Sequence, residues 1–554
     1  MTLDADRPPA EQPDPDQAGG GAARLPRQRR GAWVWLRRGA LISAGTVVAL
    51  LLSYFAGAKI WQSRDDDKAK PTATGRYQAT KASLNSHPLP PWFQNAKFGI
   101  MIHWGLYSVP GFAPKGKTFN ELLSTDYDHA MVRNPYAEDY ANAMRDPSSP
   151  TAAYHRAHYG HAPYSDFTKA FDAGLADWDP DAWASTFKQT GASYVVVTAK
   201  YADGYSLWPT QVRNPHAPDF HSKRDLMGEL AAAVRRQGMK FGVYYSGGVD
   251  WTFQRRVVKT LGDYAYPGSG EDYRSYAESQ VRELIRRYKP DILWNDISWP
   301  TGEKRLFTLL ADYYNTVPEG VVDDRWQTTG FGTQAMSVTA LRRGFDAAMK
   351  RVMKDPKAAE QAMNGGQKVA HSDFTTPEYA QHTTVQQKFW QQDRGIGGSF
   401  GYNRTESGKD YASVETLLGE LATASANNGA LLLNVGPSGG AGTIVPEQLS
   451  RLHGIGAWLR VNREALDGSR PWTTSGAKTS EGHQVVFTRK GSTVYVVVLG
   501  RPKGPVTVTG VDLKGRATKL GSSEAISLTS AGGGTTINDP TASDRYAPVY
   551  RIQP

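Results

Sequence analysis

The chain has 554 residues, 40% hydrophobic and 21% charged, with 15 Trp and 27 Tyr; this suits two or three folded domains and excludes a wholly disordered protein. The formal net charge is +10 and cysteine is absent, which excludes disulfides, thiol catalysis and cysteine-based metal sites. The positive balance is not a nucleic-acid footprint, because it is concentrated in one N-terminal cluster and the rest of the chain carries no basic stripe.

In chain order, residues 1–38 are predicted to be a disordered basic tail, rich in Pro, Asp, Gly and Ala and then in Arg24, Arg27, Arg29, Arg30, Arg37 and Arg38. Residues 39–58, GALISAGTVVALLLSYFAGA, carry no charge; as a helix they would span about 30 Å, the thickness of a bilayer core. Arginines ahead of such a span keep the N-terminus in the cytoplasm and export the remainder of the chain. The expectation is a single-pass transmembrane helix at the cell membrane with an extracytoplasmic body. The alternative is a signal segment cut near Ala56–Ala58 and a secreted product. Residues 59–87 read as a polar linker.

From 88 to 472, short apolar runs alternate with helical patterns. KFGIMIHWG, ASYVVVTAKY, MKFGVYYSGG, PDILWND, EGVVDDRW, IGGSFGYN and GALLLNVGP are the predicted strands. Between them, segments such as DPDAWASTFKQTG and SYAESQVRELIRRY have helical spacing. Alternating β and α predicts a parallel sheet, here a (β/α)₈-like TIM barrel. Residues 473–554 change texture to short β runs separated by Gly, Lys and Ser, which predicts an antiparallel β-sandwich. An Ala-, Lys- and Arg-rich stretch, 336–368, reads as a helical surface excursion.

Polar residues fall at the predicted strand C-termini: His103, Lys200, Tyr245, Asp296, Arg325 and Asn434. In barrels that end carries the active site. Asp296 sits among Trp294, Ile297 and Trp299, where a carboxylate needs a partner or a task. Enzymes that cleave glycosides use two carboxylates, and HSDFTTPEY offers Glu378 and Asp373 as the second. His155, His158 and His161 have ligand-like spacing but no carboxylate companion, and read as solvated loop histidines.

Long ordered segments resemble the α-L-fucosidases of glycoside hydrolase family 29. They include WFQNAKFGIMIHWGLYSVP, KFGVYYSGGVDW, PDILWNDISWP, DDRW, DFTTPEY, SFGYN and NNGALLLNVGPSGGAGTI. The resemblance implies a retaining exo-glycosidase acting on α-L-fucosides or a closely related sugar, on fucose-containing glycans, with no cofactor and no metal. It implies Asp296 as nucleophile and Glu378 as acid/base, with His103, Glu138, Tyr201, Tyr245, Trp294 and Arg325 holding the sugar. A catalytically weak cell-surface glycan-binding protein on the same barrel is the alternative.

Two departures stand out. The chain has AKYADGY where the family has AKHHDGF, so Tyr201 and Ala202 replace two histidines, and EDY where the family has EWY, which introduces Asp139. The expected consequence is a pocket short of one imidazole, with a small water-holding void at its wall.

Overall fold

Seven short strands build the first sheet of the computed structural model: β1 (Phe98–Ile102), β2 (Tyr194–Lys200), β3 (Lys240–Ser246), β4 (Ile292–Asp296), β5 (Val321–Val322), β6 (Trp390–Gly395) and β7 (Gly429–Val435). All neighbours are parallel, in the order β5-β4-β3-β2-β1-β7-β6. The structure describes residues 57–69, 75–254, 256–265, 270–364, 369–541 and 546–554. The tail 1–38 and the apolar span 39–58, its last two residues apart, lie outside these. Among the described residues no helix is long and apolar enough to cross a membrane.

Strand alternation sorts the side chains. Met101, Val196, Tyr244, Trp294 and Leu432 enclose the inner core, while Ile102, Val197, Val243, Leu293 and Leu433 pack outward with the helices. The helices start and stop where their sequence dictates. Pro180–Thr190 opens on Asp179, whose carboxylate accepts the N–H groups of Asp181 and Ala182, and closes on Gly191 at φ 93°.

The segment IGGSFGYN, expected as a strand, is a loop; β6 lies just before it. Polar residues conceal β6 in the sequence, and the fold gives Gln391 and Arg394 their partners. Gln391 donates to Tyr194 Oη at 2.7 Å and accepts from Trp294 Nε1 at 3.3 Å, while Arg394 pairs with Glu420 at 2.6 Å.

β5 and β6 are not paired with each other. The irregular segment 373–379 bridges these edges: Asp373 N–H donates to Val322 O, Thr375 N–H to Phe389 O, and Tyr379 N–H to Asp393 O. Regular strand geometry fails there because Pro377 has no N–H and Tyr379 adopts φ 49°. Glu378 rides on this bridge.

The C-terminal strands are β8 (Arg470–Thr479), β9 (Gln484–Lys490), β10 (Thr493–Leu499), β11 (Val506–Thr509), β12 (Arg516–Lys519), β13 (Ala525–Ile526), β14 (Leu528–Ala531), β15 (Gly534–Ile537) and β16 (Val549–Gln553). They form one continuous ladder, β13-β12-β16-β10-β9-β8-β11-β15-β14, rather than two separately bonded sheets. The reason is β8, which pairs with β9 and β11 and breaks register between Pro471 and Gly476. Val485, Phe487, Val508, Ala517 and Ile537 meet in one core, so the ladder curls onto itself.

Three further expectations change. The described parts of 59–87 are anchored: buried Asp65 accepts from Gly302 N–H at 2.7 Å and pairs with Arg305 at 3.2 Å. His87 stacks on Tyr314 with centroids 4.0 Å apart and meets Asp373 at 3.1 Å. The stretch 336–368 is held onto the molecule through its described part: helix Thr339–Val352 carries Asp346, which accepts from Gly262 N–H at 2.8 Å and Tyr127 Oη at 2.9 Å. His155 lies on the helix Pro150–Tyr159, buried between Tyr140 Oη at 2.9 Å and Ala162 O at 2.8 Å.

Lys97, just before β1, is fully buried and its Nζ has no hydrogen-bond partner among the described residues; burial, with Arg470 nearby, lowers its pKa from 10.5 to about 7. The unfolded chain therefore binds more protons than the folded one between pH 7 and 10.5, and stability rises with pH across that window. Each unit of depression is worth about 1.4 kcal/mol. Lys97→Met is expected to raise the melting temperature at neutral pH, with the gain shrinking as pH climbs toward 10.5; melting curves across that range check it.

Candidate active site

Asp296 ends β4, and both its oxygens are held. Tyr244 Oη donates to Oδ2 at 2.5 Å and Arg325 Nη1 to Oδ1 at 3.0 Å. Arg325 also reaches Glu378: Nη1 and Nη2 donate to Oε2 at 3.4 and 3.3 Å. The two carboxylates therefore share one guanidinium. Their nearest oxygens are no more than about 6.4 Å apart, the two Nη1 contacts end to end. The Asp296, Arg325 and Glu378 side chains keep 18%, 20% and 34% exposure, so they line an opening and are not core.

Arg325 is itself fixed, lying 4.6 Å over the Trp294 ring and donating through Nε to Thr376 Oγ1 at 3.2 Å. Burial raises the Glu378 pKa; Arg325 pulls it down and the Asp296 charge pushes it up again. Tyr136 Oη donates to Glu378 Oε1 at 3.4 Å. Asp393 on β6 stands 3.8 Å from Arg325, and burial pushes its pKa up to about 8.

The chain leaves Asp296 through a strained turn, with Ile297 at φ 61° and Ser298 at φ 66°. A β-branched residue there costs about 1–3 kcal/mol. Gly247 and Gly248 make room for it: a Cβ on Gly248 would fall 1.7 Å from Ile297 O.

Opposite lie His103, Glu138 and Tyr201. Asn434 Nδ2 donates to Phe400 O at 2.6 Å, which turns Asn434 Oδ1 toward His103 Nδ1 at 2.7 Å. Nδ1 therefore carries the proton and Nε2 is an acceptor. Burial keeps this imidazole neutral, its pKa lowered to about 4. Glu138 accepts Gly401 N–H at 2.8 Å and Ser399 Oγ at 3.2 Å. Burial and neighbouring Asp139 push Glu138 up to about 8. Tyr201 Oη donates to Asp139 Oδ1 at 2.9 Å.

Two carboxylates on one cation, with an acceptor-bearing wall opposite, is an arrangement suited to glycoside cleavage. The family model described as alpha-L-fucosidase matches residues 66–464. The chain belongs to the α-L-fucosidase family. Bovine tissue α-L-fucosidase is 30% identical over 439 residues, covering 77% of this chain and 78% of the bovine one. The Thermotoga maritima α-fucosidase structure with a mechanism-based inhibitor is 38% identical with a TM-score of 0.72, covering 86% of this chain and all of that one. The same enzyme in complex with fucose is 37% identical with a TM-score of 0.71 and the same coverage.

Of the residues that the family pattern implies, the structure brings Asp296, Glu378, Arg325, His103, Glu138 and Tyr201 together. Tyr245 is not among them. It faces outward, with Oη on Gln280 at 2.9 Å and Lys200 over its ring at 4.7 Å, and Tyr244 takes the inward place. The sequence holds the clue, because Phe241, Val243 and Tyr245 form the bulky helix-facing row and Gly242 and Tyr244 the other. Trp294 is only 1% exposed, stacked under Tyr244 at 5.4 Å, so it is the floor beneath Arg325 and not an open sugar platform. Ala202 is fully buried in an apolar cluster with Met131, Ala141, Val249, Trp251 and Val258; it lines no water-holding void. Sequence reasoning misses Tyr136, Tyr244 and Asp393. Asp393 gives no signal, because the charges that face it, those of Arg325, Glu378 and Asp296, come from other segments.

A hydrogen bond to a charged group contributes about 1.5–3 kcal/mol. Tyr244→Phe is therefore expected to lower kcat/KM by roughly 10- to 100-fold, whereas Tyr245→Phe leaves turnover within a few-fold and lowers thermal stability. Steady-state rates and melting curves of both variants decide between the two tyrosines.

Proposed function

We propose that this family member hydrolyses α-L-fucosides of glycans with retention of configuration, by double displacement. The observation that carries this is that Asp296 and Glu378 accept from the same Nη1 of Arg325, at 3.0 and 3.4 Å. That is the close pairing of retaining enzymes, whose carboxyls stand about 5–5.5 Å apart, rather than the wider gap that inverting ones leave for water.

In this reading Asp296 attacks the anomeric carbon as Glu378 passes its proton to the departing oxygen, giving a fucosyl ester on Asp296. Glu378 then takes a proton from water, which attacks the same carbon and releases Asp296. Tyr244 and Arg325 aim the Asp296 oxygens. Two negative charges on one guanidinium disfavour a second ionisation, so the proton stays on Glu378, whose pKa is raised. His103 Nε2 and Tyr201 accept sugar hydroxyls. The bridge 373–379 completes a (β/α)₈-like ring in which the acid/base takes the eighth position. The uncharged span 39–58 behind its arginines tethers the enzyme at the membrane, facing outward.

The test is hydrolysis of nitrophenyl α-L-fucoside beside other nitrophenyl glycosides, with the first-formed anomer read by proton NMR. Release of α-L-fucose is expected; β-L-fucose would refute retention, and glycan binding without turnover would favour a lectin. Asp296→Gly is expected to lower kcat by about a thousandfold or more, with partial rescue by azide. Glu378→Ala should spare good leaving groups relative to poor ones. Because Glu378 must enter protonated and its pKa is raised, kcat/KM should fall as pH rises through that pKa, and this alkaline limb should disappear in Glu378→Ala.

A further inference from the structure

Asp139 is a buried carboxylate in the sugar wall to which double displacement gives no task. It is 6% exposed and takes two donors, Tyr201 Oη at 2.9 Å and Asn134 Nδ2 at 2.7 Å. The Tyr201 ring stands edge-on to His103 with centroids 5.9 Å apart and parallel to Tyr244 at 6.3 Å. Tyr244 holds Asp296, so the pair belongs to the ring cage around the reactive carboxylate. The two departures from the family pattern, at 139 and 201, are thus one hydrogen-bonded unit.

This unit leaves the wall with few free protons. Tyr201 has one proton and gives it to Asp139, so its oxygen offers only lone pairs. His103 gives Nδ1–H to Asn434 and offers Nε2 as an acceptor. Tyr244 gives its proton to Asp296. An ionised Asp139 only accepts, and with burial partly offset by Asn134 and Tyr201 its pKa is raised to about 6. Glu138, pushed to about 8, keeps a proton and, with the Tyr264 hydroxyl beside Asp296 and Asp139, supplies the side-chain donors of this group. Arg325, the cation of the cleft, is engaged by Asp296 and Glu378. The wall is rich in acceptors, carries negative charge and has no cation of its own among the described residues. Such a wall holds a sugar substituent that donates, and holds it more tightly if that substituent is positively charged. It has little to offer a methylated or sulfated hydroxyl.

Resting on the fucosidase reading, we propose that the Asp139–Tyr201 pair selects the sugar. It favours a glycone of the α-L-fucoside type bearing a basic amino group in place of one ring hydroxyl, and it rejects O-methyl or O-sulfo groups at that place. Enzyme and ligand then meet through an ammonium-to-carboxylate hydrogen bond at Asp139, with Tyr201 accepting a second N–H.

The test uses the full chain at neutral pH. Calorimetric Kd values are measured for methyl α-L-fucoside and for its amino-deoxy and O-methyl analogues at each ring hydroxyl in turn, with kcat/KM on the matching nitrophenyl glycosides. One amino analogue is expected to bind about tenfold more tightly than the parent, the step from a neutral to a charge-assisted hydrogen bond, and the O-methyl analogue at that position more weakly than the parent. The isosteric Asp139→Asn should weaken that amino analogue by about tenfold more than it weakens the parent, and Tyr201→Phe should act in the same direction. An unchanged melting temperature confirms that each variant is folded. If the parent is bound and turned over but no amino analogue binds better, or if Asp139→Asn weakens every ligand alike, the inference falls and the fucosidase reading stands. If neither the parent nor any analogue binds or reacts, both fall.

Discussion

One guanidinium sets the terms of this site. Arg325 stands between Asp296 and Glu378 and within 3.8 Å of Asp393. Without it, burying the carboxyls in one cleft would force protons onto most of them. With it, both oxygens of Asp296 stay engaged while its neighbour Glu378 keeps a raised pKa. The surrounding structure serves that placement. Trp294 supports the arginine from below, Thr376 fixes its Nε, and Tyr244 takes the Asp296 oxygen that the arginine does not reach.

Asp296, Glu378, Asp393 and Asp324 surround that cation, and Glu138 and Asp139 stand on the facing wall. The cleft tolerates them by sorting their protons. Glu138 and Asp393, both deeply buried, are pushed to about 8, while Asp139, with two side-chain donors, stays at about 6. Burial, donors and neighbouring charges, not residue type, set how high each carboxyl is pushed.

The sequence displays the repeating parts of this fold and hides the irregular ones. β1 to β4 and β7 are legible because each is an apolar run with a polar residue at or next to its C-terminal end. β6 is not, because the partners of its Gln391 and Arg394, namely Tyr194, Trp294 and Glu420, are remote in sequence. Asp296, Arg325 and Glu378 are legible in their motifs, but their sharing of one cation depends on the bridge 373–379, whose geometry no periodicity encodes. Tyr244 and Tyr245 look alike as neighbours in the sequence until the alternation is phased from Gly242. The void expected at Ala202 is filled because Trp251 and Met131 pack onto it from distant segments.

The bridge also has a foot. At its start, Asp373 accepts from Tyr314 Oη at 2.8 Å and Val322 N–H at 2.7 Å and meets His87 at 3.1 Å. His87 and the anchored Asp65 lie between the apolar span and β1. Through His87, the described part of that stretch helps to mount the segment that carries Glu378. A protease cut ahead of Asp65 would leave that foot intact, and a cut beyond His87 would free a domain in which the segment carrying Glu378 had lost its footing.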